Sequence, residues 1–187
     1  MTGKKYKLTE EFCTTAAGEK IYRIQALEDI PSQGVVKGDL GGFVGTNAKI
    51  SDNAWVFDDA WVSDNARVYG GAKIRGSAWV SGNARVSGFS EISGYAEVSD
   101  CVRVTDHAQV RDCAKVSGFV WVFNESTVSG NAQVSGNVKL LNNAQATGNA
   151  AITESVKVMD NAQVFGNARV GGNQQLRGNM KISESRS

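Results

Sequence analysis

Residues 83–88 read Asn-Ala-Arg-Val-Ser-Gly, and residues 131–136 read Asn-Ala-Gln-Val-Ser-Gly. This six-residue unit repeats 23 times, without insertion or deletion, between Asn47 and Glu184. Apolar residues at its second and fourth positions alternate with polar residues at the third and fifth, which is the pattern of a half-buried strand. Gly, Asp or Asn at the sixth position favours a tight corner, because these residues tolerate left-handed backbone conformations. The repeat therefore predicts an all-β fold, a parallel β-solenoid.

The number of units in one coil also follows from the sequence. Valine replaces the usual alanine of the second position every 18 residues, at Val102, Val120, Val138 and Val156. Side chains stacked one coil apart share an environment, so this step predicts three units per coil and a triangular cross-section. At ~4.8 Å per coil, the rod is expected to be about 37 Å long.

The first 46 residues do not follow the repeat. Tyr6 to Thr9 and Ile21 to Leu27 read as strands, and Pro31 to Gly34 as a turn. A solenoid exposes apolar side chains and unpaired backbone at its ends. We therefore expect three segments: a small N-terminal β cap at 1–46, the solenoid at 47–184 and a polar tail at 185–187. The cap is expected to bury part of an aromatic group formed by Trp55, Phe57, Trp61 and Trp79.

Several motifs in this chain resemble a known family. They are Lys-Tyr-Lys-Leu-Thr-Glu-Glu at 5–11, Ile-Tyr-Arg-Ile-Gln-Ala-Leu at 21–27, Gly-Asp-Leu-Gly-Gly-Phe-Val at 38–44, and Asn-Ala-Trp-Val at 53–56. Together they are similar to YdcK-like β-solenoid proteins, which occur in bacteria and very commonly in phages and prophages. The resemblance implies a hexapeptide-repeat left-handed parallel β-helix, whereas the residues alone give the period without the handedness. It also implies a phage or prophage origin.

The composition argues against several classes of function, among them membrane and metal-dependent proteins. The net charge is +1, so no global field directs the protein to nucleic acid or to a membrane. There is no long apolar run that would predict a membrane span or signal peptide. Cys13, Cys101 and Cys113 are an odd number with no evident pair, which is typical of reduced thiols in a cytoplasmic protein. Because His107 is the only histidine, we expect no metal site, and no cofactor is expected.

Taking every third unit sorts the outward residues into three faces. On one of them, the basic face, the third positions carry six cations and no acid: Lys49, Arg67, Arg85, Arg103, Lys139 and Lys157. Like charges opposite each other on neighbouring strands are destabilising. The column therefore predicts an acidic partner, either a protein surface or a phosphate backbone. The alternative is a solvated face balanced by acidic corners such as Asp52 and Asp100.

The same face carries an apolar ridge formed by Phe119, Trp121, Phe123, Leu141 and Met159. Exposed aromatic clusters usually mark protein interfaces, so the ridge predicts binding to another protein or to a second copy. At the C-terminal end, no cap is expected to follow Leu176, Met180 and Ile182. An open coil end favours self-association, so a homodimer through this end or the ridge is expected.

The sequence favours a non-enzymatic, rigid solenoid that binds proteins. With the family resemblance, it suggests a phage accessory protein that binds, and could inhibit, a host factor such as a defence complex. One alternative is a hexapeptide-type acyltransferase whose site forms between subunits, with His107 as general base. However, His107 stands where a corner asparagine is usual, and no loop interrupts 47–184 to shape a pocket. A second alternative is nucleic-acid binding along the basic face.

Overall fold

The computed structural model describes residues 4–184 and confirms an all-β, parallel β-solenoid. Three longer strands come first, β1 (Tyr6–Thr14), β2 (Lys20–Ala26) and β3 (Leu40–Gly45), with a 3₁₀ helix at Pro31–Gln33. The 23 strands that follow, β4 to β26, are two residues long and occupy the third and fourth positions of each unit. The alternation of polar and apolar residues thus places each strand where the sequence predicts it.

The short strands form three walls, in which strands 18 residues apart pair in parallel. The wall under the basic face contains β4 (Lys49–Ile50), β7 (Arg67–Val68), β10 (Arg85–Val86), β13 (Arg103–Val104), β16 (Trp121–Val122), β19 (Lys139–Leu140), β22 (Lys157–Val158) and β25 (Gln175–Leu176). The second wall contains β5 (Trp55–Val56), β8 (Lys73–Ile74), β11 (Glu91–Ile92), β14 (Gln109–Val110), β17 (Thr127–Val128), β20 (Gln145–Ala146), β23 (Gln163–Val164) and β26 (Lys181–Ile182). The third contains β6 (Trp61–Val62), β9 (Trp79–Val80), β12 (Glu97–Val98), β15 (Lys115–Val116), β18 (Gln133–Val134), β21 (Ala151–Ile152) and β24 (Arg169–Val170). The pairing confirms three units per coil, and the handedness of the coil stays a prediction from the family resemblance.

One continuous core runs along the axis of the rod. Fourth-position side chains such as Val86, Ile92 and Leu140 are fully buried, as are second-position alanines such as Ala84. Each buried Val, Ile or Leu stabilises the fold by about 1.5–3 kcal/mol relative to exposure. A small side chain at the second position and a larger one at the fourth together fill the narrow triangular core. This explains why the repeat varies little at these two positions.

Every sixth position from Asp52 to Gly178 has a left-handed backbone, and ten of these residues are not glycine. At the acidic corners the carboxylate accepts the backbone N–H of the corner one coil further on. Examples are Asp100 with Gly118 at 2.8 Å and Glu154 with Gly172 at 2.7 Å. This hydrogen bond offsets the cost of the left-handed conformation. The acidic corners therefore have a structural role of their own.

The N-terminal cap continues the third wall. β1 pairs with β2 and β2 with β3 in antiparallel fashion, and β3 then pairs in parallel with β6, with Phe43 opposite Trp61. Residues 41–46 therefore occupy the place of one more six-residue unit, directly before the boundary predicted at 47. The sequence does not reveal this unit, because Gly42 stands at the second position, where the repeat usually has alanine. A Cβ at Gly41 would lie 2.6 Å from the Val56 carbonyl oxygen, so the close approach of β3 to the coil requires glycine.

The cap also covers part of the aromatic group, as the sequence predicts. Trp55 occupies an outward third position and is nevertheless only 1% exposed. Trp61 makes edge contacts with Phe43 and Trp79, at centroid distances of 6.4 and 6.2 Å. The guanidinium of Arg23 lies over Phe43 and is fixed by ion pairs to Glu11 and Asp59. The predicted polar tail, 185–187, lies outside the described residues.

Candidate functional site

The six cations of the basic face form a single straight column. Arg85 is in register with Arg67 on one side and Arg103 on the other, and Lys139 is in register with Lys157. Trp121 interrupts the column between Arg103 and Lys139. Neighbouring positions are about 4.8 Å apart along the axis. The structure thus brings together all six predicted basic residues.

None of these six cations forms an ion pair within residues 4–184, where the ion pairs involve Lys5, Arg23 and Lys115. The third wall shows the contrast, because Lys115 and Glu97 stand in register there and pair at 2.8 Å. The corner acids that could neutralise the column, such as Asp52 and Asp100, instead accept backbone N–H groups. The six cationic side chains therefore have no ion-pair partner among residues 4–184 and are left for solvent or for a partner.

The apolar ridge is less exposed than the sequence suggests. Phe119 is 64% exposed, whereas Trp121, Phe123, Leu141 and Met159 are half-buried. Trp121 stacks on Phe123 at 5.2 Å with an interplanar angle of 11°. Arg103 and Lys139 also approach the Trp121 ring, at 5.5 and 4.0 Å from its centroid. The charged neighbours of the ridge thus cover part of it through cation–π contacts and their aliphatic stems.

Two clefts on the basic face were not predicted. One, of about 150 Å³, is lined by Arg85, Arg103, Ser87, Thr105, Tyr69, Val104 and Phe123. A second, of about 290 Å³, shares Tyr69 and Arg85 with the first and adds Lys49, Ser51 and Arg67. The signal was present in the fifth-position column beside the cations, where small Ser87 and Thr105 lie between the rings of Tyr69 and Phe123. Two small residues between two large ones leave a depression in an otherwise flat wall.

His107 is exposed and stacks on Phe89 at 5.5 Å. The adjacent carboxylate of Asp106 accepts hydrogen bonds from Asn124, and none of the described residues hydrogen-bonds the imidazole. The histidine therefore lacks the orienting partner that a general base normally has. Residues 4–184 contain no group of three or more His, Cys, Asp or Glu that could hold a metal ion. Cys13, Cys101 and Cys113 are all free thiols.

The three residues predicted for C-terminal self-association differ in exposure. Leu176 and Ile182 are 3% and 2% exposed because they occupy fourth positions and point into the core. Met180, at a second position, is 38% exposed. Of the three, only Met180 offers apolar surface to a partner. No helix among the described residues is long and apolar enough to cross a bilayer.

One segment of the chain matches a known protein family. A family model described as the YdcK beta solenoid repeat matches residues 162–178. This segment carries the YdcK β-solenoid repeat. The match spans nearly three units and confirms the resemblance drawn from the motifs. A search of curated proteins found no match.

Among solved structures, the chain is similar to a UDP-N-acetylglucosamine acyltransferase from Campylobacter jejuni. The identity is 17%, the alignment covers 74% of this chain and 68% of that chain, and the TM-score is 0.29. A likeness of this strength says nothing about the activity of the present chain. What the YdcK repeat does provide is a rigid scaffold on which third-position side chains stack in columns.

Proposed function

We propose that this protein is a non-enzymatic, rigid β-solenoid that binds an acidic protein surface through its basic face. The observation that carries the proposal is the column from Lys49 to Lys157, which places six cations in one line with no ion pair among the described residues. Such a column repels itself, and a partner that presents acidic side chains relieves the repulsion. The clefts beside the column add shape to the same surface.

The geometry favours a protein over a nucleic acid. The cations form a straight line with a step of about 4.8 Å, which matches the spacing of side chains across the strands of another sheet. The phosphates of duplex DNA instead follow a helical path. Proteins that bind single strands stack bases on exposed aromatic rings, but Arg103, Lys139 and Phe123 already contact the ring of Trp121. The ring is therefore a poor stacking platform.

The resemblance to YdcK-like proteins supports a more specific role. Because such proteins are common in phages and prophages, we propose a phage accessory protein that acts in the bacterial cytoplasm. There it would bind and inhibit a host factor, such as a defence complex that handles nucleic acid and presents an acidic surface. We propose a homodimer through the exposed Phe119 of the ridge or through Met180. The Met180 contact would leave both basic faces open to a partner and so raise avidity.

The acyltransferase alternative depends on His107. Its ring stacks on Phe89, and no described residue orients it by a hydrogen bond. No loop emerges from the coil between 47 and 184 to enclose an acyl donor. These features support a binding module over an enzyme.

A charge-reversal experiment tests the class of partner. The variant Arg67→Glu/Arg85→Glu/Arg103→Glu is compared with the matched variant Lys73→Glu/Arg111→Glu/Arg169→Glu, which makes the same change in net charge on the other two faces. Binding of poly-L-glutamate and of a duplex oligonucleotide is measured by fluorescence anisotropy. We expect the wild type and the matched variant to bind poly-L-glutamate, and the basic-face variant to lose binding. Equal losses in both variants would contradict the proposal, and preference for the duplex would favour nucleic-acid binding.

A further inference from the structure

The cleft between Tyr69 and Phe123 combines three features that point to a small anionic ligand. Two arginines, Arg85 and Arg103, lie side by side on neighbouring strands. Between the two aromatic rings, Ser87 and Thr105 supply hydroxyl groups at the floor. We propose that this cleft binds a nucleoside monophosphate, with the phosphate between the two arginines and the base against Tyr69, since Phe123 already stacks on Trp121. This goes beyond the proposed protein-binding function.

The charge of the site fits a phosphate monoester better than a carboxylate. Neither Arg85 nor Arg103 forms an ion pair within the described chain. Two guanidinium groups one coil apart require close to two negative charges for neutrality, and a phosphate monoester carries about −1.5 to −2 at neutral pH. The fork of each guanidinium also matches two phosphate oxygens.

The hydroxyl pair supplies a further donor. The hydroxyls of Ser87 and Thr105 are 3.0 Å apart and share one hydrogen bond. That bond uses one of the two hydroxyl protons, and the other proton has no acceptor among residues 4–184. Ser87 is only 8% exposed, so its position is fixed by the packing of the wall. A phosphate oxygen held by the arginines would accept the remaining proton.

The distance between each aromatic ring and the arginine pair matches the dimensions of a nucleotide. Tyr69 lies one coil before Arg85, and Phe123 lies one coil after Arg103. Each ring is therefore one and a half coils, or about 7 Å, from the midpoint of the arginine pair. In a nucleoside 5′-monophosphate the ribose separates the base from the phosphate by a comparable distance, so both can be engaged at once. In O-phosphotyrosine the ring is joined directly to the phosphate, which leaves it short of Tyr69 or Phe123.

The test uses isothermal titration calorimetry of the full chain with adenosine 5′-monophosphate, inorganic phosphate, adenosine and O-phosphotyrosine. We expect adenosine 5′-monophosphate to bind most tightly, inorganic phosphate and O-phosphotyrosine more weakly, and adenosine least. Arg85→Gln should weaken the binding of all three phosphate-bearing compounds about tenfold or more, since a charged hydrogen bond contributes about 1.5–3 kcal/mol. Tyr69→Ala should weaken the binding of adenosine 5′-monophosphate without changing the affinity for inorganic phosphate.

Lys157→Gln is the control, because it removes one cation from the same column outside the cleft and should leave all four affinities unchanged. Arg85 is exposed, so its replacement should leave the melting temperature unchanged and separate loss of binding from loss of fold. Failure of the wild type to bind adenosine 5′-monophosphate would overturn the proposal, as would equal binding of adenosine or an unchanged affinity in Arg85→Gln. Binding of poly-L-glutamate is scored separately, so either proposal can fail while the other holds.

Discussion

The carboxylate of Asp100 accepts the backbone N–H of Gly118, one coil further along the rod, at 2.8 Å. This contact explains two properties of the solenoid. It satisfies a backbone donor at a corner with a left-handed conformation, and it holds the carboxylate at the corner instead of in an ion pair with the adjacent basic column. The stability of the corners and the lack of ion pairs in the basic column within residues 4–184 therefore share one cause.

The corner contact predicts a graded effect on stability. Asp100→Ala removes the acceptor but leaves a Cβ in the left-handed conformation, whereas Asp100→Gly removes the acceptor and also relieves that conformational cost. We expect both variants to lower the free energy of unfolding, with Ala worse than Gly by about 1 kcal/mol. Denaturant unfolding measures the difference. Equal losses in the two variants would show that backbone conformation contributes nothing at this corner.

The junction between cap and coil predicts a steric effect. A Cβ at Gly41 would lie 2.6 Å from the Val56 carbonyl oxygen and 2.7 Å from Ile24 Cγ1. Gly41→Ala is therefore expected to cost about 1–3 kcal/mol, as overpacking in a filled core does. Gly171→Ala is the control, because its Cβ would meet mainly the movable side chains of Thr153 and Glu154. Thermal unfolding should show a lower transition temperature for Gly41→Ala, and similar values for both variants would show that the contact with Val56 and Ile24 is not limiting.

Tyr6 predicts a dependence of stability on alkaline pH. Burial raises the pKa of Tyr6 above 10.0, and a hydrogen bond with the backbone of Ile50 opposes the shift in part. The unfolded chain loses this proton first, so the contribution of Tyr6 is complete below about pH 10 and is lost as pH rises toward the folded pKa. Tyr6→Phe should flatten this part of the pH profile of unfolding free energy. An unchanged slope above pH 10 would exclude Tyr6 as its source.

Self-association predicts a dependence on the two exposed apolar side chains. Phe119 is 64% exposed and Met180 is 38% exposed. If the protein dimerises through the ridge, Phe119→Ser should raise the dimer dissociation constant about tenfold or more, since removal of an aromatic anchor commonly costs 2 kcal/mol or more. Met180→Ser would have that effect for a dimer formed through the coil end. Sedimentation velocity at several concentrations separates the two cases, and a dimer unaffected by both variants would contradict each.

The sequence was sufficient for the solenoid and its three faces because both depend on a strict period. The valines from Val102 to Val156 placed every column correctly, including the six stacked cations. The exposure of surface side chains and the shape of the clefts were harder to predict, because both depend on how neighbouring side chains pack against one another. Examples are the cation contacts that cover Trp121 and the depression between Tyr69 and Phe123. Residues 41–46 were missed as a unit because glycine replaces the apolar residue that marks the pattern.

Binding of an acidic protein by the basic face can be measured by comparative capture from a lysate. Immobilised wild type, Arg67→Glu/Arg85→Glu/Arg103→Glu and Lys73→Glu/Arg111→Glu/Arg169→Glu are each incubated with the same bacterial lysate, and the retained proteins are measured by quantitative mass spectrometry. We expect an acidic protein to be retained by the wild type and by the matched variant but released by the basic-face variant. Retention of the same proteins by all three would contradict this expectation.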